Sequence, residues 1–347
     1  MNEQDISAGS GRDDWDDFDG EPMPVESVSR RAVVPGELAG RRLDQAAAAL
    51  FPEFSRSRLK TWIESGAITV SGECAEPKRK VREGDELVLE AELEAEVELV
   101  SEPIPLVVRY ADDALYVIDK PAGLVVHPGA GNPRGTLQNA LLHLDSALAA
   151  LPRAGLIHRL DKDTSGLLIV ARTLHAQHVL AKRLERREIH RTYAAVCQGV
   201  LTGGGTVDAP IGRHPRNRLK MAIVEHGRPA VTRYSVRERF RAHTYVHVAL
   251  ETGRTHQIRV HMASIGAPLV GDPLYGGRPR FPRQPTERLR KELEGFRRQA
   301  LHAMRLELEH PVSGRPLEIE SPLPEDLERL LDALREDARM NAPDPRR

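Results

Sequence analysis

His158-Arg159-Leu160-Asp161-Lys162-Asp163-Thr164-Ser165-Gly166 runs without a break into Leu167-Leu168-Ile169-Val170-Ala171, and the two halves demand opposite surroundings. The second half is a continuous apolar run of strand length behind a glycine, the pattern of a strand buried on both faces. The first half is a loop with charges of both signs set directly against that strand. Such a loop is where a rigid scaffold presents functional groups. Its carboxylates, Asp161 and Asp163, have two readings: turn and cap hydrogen bonds with Thr164 and Ser165, or a reactive group on a fixed support.

Working outward, short strands are expected at Leu115–Asp119, Thr192–Val196, Ala230–Val236 and Tyr245–Leu250, with helices over 136–150 and 173–188. Few helices alternate with these strands, so the pattern favours an α+β domain with a mixed, largely antiparallel sheet over a doubly wound one. Toward the N-terminus, Leu43, Ala46, Ala47 and Leu50 recur at helical spacing. A second helix follows from Ser55, a good N-cap, through Leu59, Trp62 and Ile63 to a stop at Gly66. Strands at Ala67–Val70 and Asp85–Leu89 complete a small module. The acidic stretch Glu92, Glu94, Glu96, Glu98, followed by Pro103 and Pro105, reads as a linker. The expected organisation is an acidic disordered tail over 1–29, the module over 30–92, a linker over 93–103, the larger domain over 104–335 and a C-terminal tail over 336–347.

The chain has 347 residues, 50 basic and 51 acidic. That balance hides an asymmetry, because residues 1–26 hold nine acidic side chains and one basic one, leaving residues 27–347 at net +7. A basic body suits a polyanionic partner. Two cysteines, Cys74 and Cys197, argue against a disulfide scaffold and a thiolate zinc site. No apolar run approaches the ~20 residues of a membrane span, and no export leader is legible, so a cytoplasmic location is expected.

Several chemistries find no support in the motifs. His256 and His261 are five apart, not the i,i+4 of a helical zinc pair. Gly203-Gly204-Gly205 lacks the Lys-Ser/Thr of a phosphate loop, and no Gly-x-Ser-x-Gly elbow occurs. No metal and no cofactor are expected. Within Thr252 to Ala263, Thr255 can cap a helix that carries Ile258, Met262 and Ile265 on one face and ends at Gly266. Arg254 then precedes that helix and Arg259 lies inside it. A buried guanidinium there can keep a carboxylate ionised, and phosphate contact is the competing role. Arg56, Arg58 and Lys60 at the start of a helix, with Lys78, Arg79, Lys80 and Arg82 in a later turn, suit either a phosphate backbone or a solvated face.

Arg42-Leu43-Asp44, Ser55-Arg56-Ser57-Arg58, Ile63, Gly66 and Ile68-Thr69-Val70-Ser71-Gly72 together resemble the S4 RNA-binding domain. The loop His158 to Gly166 resembles the signature of the RluA-type pseudouridine synthases. So do Val117 to Gly129, Gly253 to Ala263, Gly271-Asp272-Pro273-Leu274-Tyr275-Gly276 and Gln299-Ala300-Leu301-His302-Ala303. Five motifs in order are more specific than any one. Ser165 stands where the family often has Thr, and the acidic tail is longer than the family needs. The resemblance implies a monomeric isomerase that converts uridine to pseudouridine in RNA. Its implied partner is 23S rRNA or a large-subunit precursor particle, with clustered uridines in the intersubunit-bridge stem-loop as targets and a part in ribosome biogenesis. Carried over by motif, Asp161 is the essential carboxylate, Tyr193 packs on the target base, and Arg259, ahead of Arg254, pairs with Asp161. Arg159 supports the site, while Arg56, Arg58, Lys60 and Arg254 contact RNA. A non-catalytic RNA-binding assembly factor would not need Asp161. A carboxylate-dependent hydrolase would need a second carboxylate for acid catalysis, which no motif supplies.

Overall fold

The computed structural model describes residues 25–94, 100–129, 132–217 and 219–342. The chain divides into two units, Pro22–Val97 and the remainder from Glu98 onward. No helix among the described residues is long and apolar enough to cross a membrane.

The first unit holds β1 (Val25–Val33), α1 (Leu43–Leu50), α2 (Arg56–Glu64), β2 (Ile68–Val70), β3 (Glu73–Cys74) and β4 (Glu86–Glu94). Its four strands pair antiparallel in the order β1-β4-β2-β3. Leu43, Ala46, Ala47, Leu59, Ile63, Leu87 and Leu89 are buried together, so the apolar stripes of both helices close on one sheet face. Ser55 caps α2 as expected, its hydroxyl accepting from Arg58 N at 3.3 Å, and Gly66 follows the helix in the left-handed region. Two expected boundaries move. The polar sequence Val25 to Val33 has no strand period, yet it pairs with β4 from Val33 to Val25, so the unit starts ahead of residue 30. β4 likewise runs through Glu94, past the expected start of the linker at 93. The rest of the acidic tail, residues 1–24, and Glu96 and Glu98 lie outside the described residues.

The second unit is built on a nine-stranded sheet. It contains β5 (Val107–Ala111), β6 (Leu115–Lys120), α3 (Leu137–Leu144), β7 (Ser165–Ala171), α4 (Leu174–Glu185), β8 (His190–Gln198) and β9 (Gly205–Asp208). The hairpin β10 (Ile211–Arg213) and β11 (Met221–Ile223) stands apart from the sheet. Then follow β12 (Val231–Arg239), β13 (His243–Leu250), α5 (Gln257–Ser264), α6 (Glu287–Gly295), β14 (Leu301–Glu309), β15 (Pro316–Glu320) and α7 (Glu325–Met340). Strand order is β5-β6-β7-β14-β8-β13-β12-β9, with β15 paired to β14. Every pairing is antiparallel except β7 with β14. The period-2 alternation of β8 sorts its side chains. Tyr193, Ala195 and Cys197 pack with Leu137, Leu141, Ile258 and Met262 of α3 and α5. Ala194 and Val196 pack with Leu289, Leu293, Leu327 and Leu330 of α6 and α7.

β7 is buried at all seven positions, as its sequence demands. Gly166 is required there, because a Cβ would meet Ala303 O at 2.2 Å where β7 and β14 come together. The helix expected over 136–150 ends at Leu144 and continues only as a 3-10 turn over Ser146–Ala150. The tail expected from 336 is instead the last turns of α7. There Asp337 is buried and accepts from Arg241 Nη1 at 2.9 Å and Thr286 N at 2.7 Å.

Candidate active site

The loop ahead of β7 is held from below by groups that take up its backbone. Lys120, at the end of β6, is fully buried and its ammonium donates to Pro121 O (2.8 Å), Leu124 O (2.9 Å) and Lys162 O (2.8 Å). Gly123 N adds a second bond to Lys162 O. Burial pushes the Lys120 pKa down to about 7, while Asp161 and Asp163 pull it the other way. Gln299 donates to Thr164 Oγ1 at 3.0 Å, and Ser165 Oγ pairs with His302 Nδ1 at 2.9 Å. The two hydroxyls that the turn reading assigns to the aspartates are therefore occupied elsewhere. Asp161 contributes its main-chain carbonyl to the turn, accepting from Thr164 N, and its carboxylate turns to another partner.

That partner is Arg259 on α5. Its Nη1 donates to Asp161 Oδ2 at 3.0 Å, while Nε and Nη2 grip the two oxygens of Asp272 at 2.8 and 3.0 Å. Asp272 is itself fixed, accepting from Leu274 N and Tyr275 N on Oδ1. A bidentate fork leaves the guanidinium little freedom, so the remaining nitrogen is delivered to Asp161 in one geometry. Burial works to raise the Asp161 pKa, but the charges of His256 and Arg259 and the Arg259 hydrogen bond hold it below the ordinary carboxylate value. Arg259 is held protonated against its own burial by Asp272 and Asp161. The Asp161 side chain keeps 18% of its exposure and borders a cleft lined by Arg159, Leu160, Tyr193, Ile258 and Arg254. Within the described residues, no cluster of histidine, cysteine and carboxylates could hold a metal ion.

The entry to α5 differs from the expected one. His256, in the left-handed region, is the N-cap, and no side chain caps the helix, so Thr255 does not have that role. The positioning falls to Gln257, which accepts from Arg254 N and Thr252 Oγ1 and donates to Val231 O and Thr232 Oγ1. Ile265 is the C-cap and is exposed, off the buried face of Ile258 and Met262. The turned backbone brings His256 Nδ1 within 2.8 Å of the Tyr275 hydroxyl, which also accepts from Met221 N.

Of the residues singled out from sequence, Asp161, Tyr193, Arg159, Arg254 and Arg259 line one cleft. Arg254 donates to Pro229 O at 3.2 Å, and Asp161 pairs with Arg259 at 3.0 Å. In the first unit Arg56 donates to Asp44 at 3.0 Å and Lys60 lies 3.6 Å from Glu64. Sequence reasoning passed over Asp272, Lys120 and Asp44 as individuals and weighed His256 only as a metal ligand. All four lie inside motifs, but their partners lie elsewhere in the chain and only the fold joins them.

Comparison with known proteins agrees with this geometry. A family model described as RNA pseudouridylate synthase matches residues 114–264, and an S4 domain model matches residues 41–87. The ribosomal large subunit pseudouridine synthase D of Xanthomonas campestris pv. campestris is 59% identical over 315 residues, covering 91% of this chain and 95% of that protein. The protein of that name from Escherichia coli K12 is 51% identical over 314 residues, covering 90% and 96%. Among solved structures, human RNA pseudouridylate synthase domain containing 4 superposes with a TM-score of 0.51 at 28% identity, over 66% of this chain and 92% of that one. With an ionised aspartate in a basic cleft at the matched signature loop, and an S4 domain ahead of it, the chain belongs to the RNA pseudouridine synthase family of isomerases.

Proposed function

We propose that this enzyme isomerises uridine to pseudouridine in large-subunit (23S) rRNA, with Asp161 as the essential carboxylate. The observation that carries the assignment of Asp161 is its pairing with an arginine that a second, buried carboxylate already locks in place. The names of the relatives carry the choice of RNA. The targets are clustered uridines in the intersubunit-bridge stem-loop, modified in the cytoplasm by a monomer acting on rRNA or a precursor particle during ribosome biogenesis.

In the reaction the bond from N1 to C1′ breaks, the base turns, C5 bonds to C1′, and the proton on C5 is lost as N1 gains one. Product and substrate are isomers, so the chemistry is balanced without a redox partner. Attack on C1′, addition to the base, and removal of a ribose proton all require Asp161 as the anion. Arg259 keeps it so, and as an arginine it does this without exchanging a proton. Tyr193 offers its ring to the flipped uracil. Extruding a base costs a few kcal/mol, which contacts from Arg159 and Arg254 at the cleft, and from the basic segments 213–220 and 278–298, offset. Arg56, Arg58 and Lys60 of the S4 domain add phosphate contacts that select the rRNA.

The test is to incubate the enzyme and Asp161→Asn with unmodified large-subunit rRNA and map pseudouridine by carbodiimide-dependent stops in primer extension. Stops in the bridge stem-loop with wild type alone are expected. Stops elsewhere would move the target, and stops with the variant would remove Asp161 from the chemistry.

A further inference from the structure

Among the described residues, Arg191 is the one arginine lining the cleft that the reaction as described leaves unused. It sits on β8 two residues before Tyr193, so both side chains leave the sheet on the same face, and both line the Asp161 cleft. The residue is 6% exposed. Among the described residues its guanidinium makes no hydrogen bond and no ion pair, and Nε is buried without a partner. Arginine does not escape burial by losing its proton, so the charge stays and faces the cleft. Its neighbours do not balance it. Burial and the Arg191 charge together push the His158 pKa down to about 3, and Tyr193 is held above its ordinary value mainly by burial. Asp161, the sole carboxylate lining the cleft among the described residues, is taken by Arg259. The surroundings also make room for the fork. A Cβ at Gly253 would come within 2.9 Å of Arg191 Nη1, so the loop before α5 is open there only because residue 253 is glycine.

We propose that Arg191 receives a phosphodiester flanking the target uridine, its fork taking the two non-bridging oxygens. The proposal rests on the reading that a uridine within RNA is the substrate. Uracil brings carbonyls but no charge at neutral pH, and would leave the guanidinium uncompensated in its buried seat. A phosphodiester brings a full negative charge and two oxygens in the geometry that a planar guanidinium matches. Such a group is fixed within one sugar's length of the target nucleotide's C1′ atom. The buried cation thus waits for an anion that arrives only with the flipped nucleotide, which couples correct seating of the backbone to presentation of the base.

The experiment uses a stem-loop of large-subunit rRNA containing a uridine that the wild-type enzyme is first shown to isomerise. Failure at that step would refute the substrate reading and not this one. Single methylphosphonates then replace each phosphate next to that uridine, and single-turnover rates are measured for wild type, Arg191→Met and Gly253→Ala. Arg191→Met is expected to lose roughly 10- to 100-fold on the native stem-loop. One methylphosphonate should cost wild type a similar factor and cost Arg191→Met almost nothing more. Gly253→Ala, which displaces the fork without deleting it, should show the same insensitivity at the same phosphate, and serves if the Met variant folds poorly. The free Arg191→Met protein should melt no lower than wild type, since an unpaired buried charge has been removed, whereas a structural role predicts a lower melting temperature. Losses that multiply independently at both flanking phosphates, or wild-type rates in Arg191→Met, would overturn the proposal.

Discussion

Asp44 in the S4 domain and Asp161 in the synthase domain are both aspartates in motif segments, both paired with arginine, and both held below the ordinary carboxylate pKa. Their surroundings differ in a way that separates a strap from the acid proposed to react. The Asp44 side chain is only 4% exposed and lies in the first turn of α1. Arg42 grips both its oxygens, and Arg56 comes across from α2 to Oδ2. Burial opposes its ionisation and the two arginines enforce it. Here the acid is buried and the arginines are outside, so the pair ties two helices together. At Asp161 the order is inverted. The arginine is the buried member, anchored behind by Asp272, and the acid is the member left at the cleft. An Asp–Arg pair whose arginine has a second carboxylate of its own can hold a charge in place and still leave the acid available to a substrate.

If this inversion is the relevant difference, Arg259→Met should have the largest combined effect. It strands buried Asp272, so thermal or denaturant unfolding should show a loss of about 3–5 kcal/mol, with turnover reduced more than ~100-fold. Asp272→Asn sharpens the point, because it leaves Arg259 present but unanchored. Single-turnover rates should fall roughly 10- to 100-fold. The acid limb should also move to higher pH. In the proposed mechanism Asp161 acts as the anion and its pKa is depressed, so activity should be lost as pH falls through that pKa, and a weaker Arg259 contact raises it. An unmoved acid limb would separate Asp161 ionisation from Asp272.

Asp44→Asn should behave in the opposite manner. Hydrogen exchange should show the S4 domain loosened by about 1–3 kcal/mol, while turnover on a short stem-loop stays near wild type. Because both carboxylates titrate below their ordinary value, each contributes stability that is present above about pH 4 and is lost as pH falls further. The smallest effect belongs to Lys60→Ala. Its exposed pair with Glu64 is worth about 0.3–0.5 kcal/mol. If Lys60 meets a phosphate, the salt dependence of rRNA binding should flatten by about one ion.

The same contrast explains what could be read from sequence. Asp161 was singled out because its motif is contiguous and ends in a strand that must be buried, while its proposed role, like those of Tyr193 and Arg259, came from the family resemblance. Asp272 was legible only as part of a glycine-bounded motif, since its bond to Arg259 is made by a turn of the chain. Arg191 was invisible, because an unpaired buried guanidinium is a property of packing. Thr255 followed local capping preference, but the chain enters α5 through a left-handed His256 that meets the Tyr275 hydroxyl, a contact no local preference encodes. β1 was missed because its polar sequence shows no alternation and its pairing with β4 is supplied by the fold.

The most direct measurement is release of tritium from stem-loop RNA labelled at uridine C5, under single turnover, with RNA retention followed in the same samples. Pseudouridine is completed only when that hydrogen leaves C5. Wild type and Asp44→Asn should release label at similar rates, and Asp161→Asn should bind RNA and release at least ~1,000-fold more slowly. Release by Asp161→Asn, or its loss in Asp44→Asn with RNA still bound, would contradict the assignment of the two aspartates.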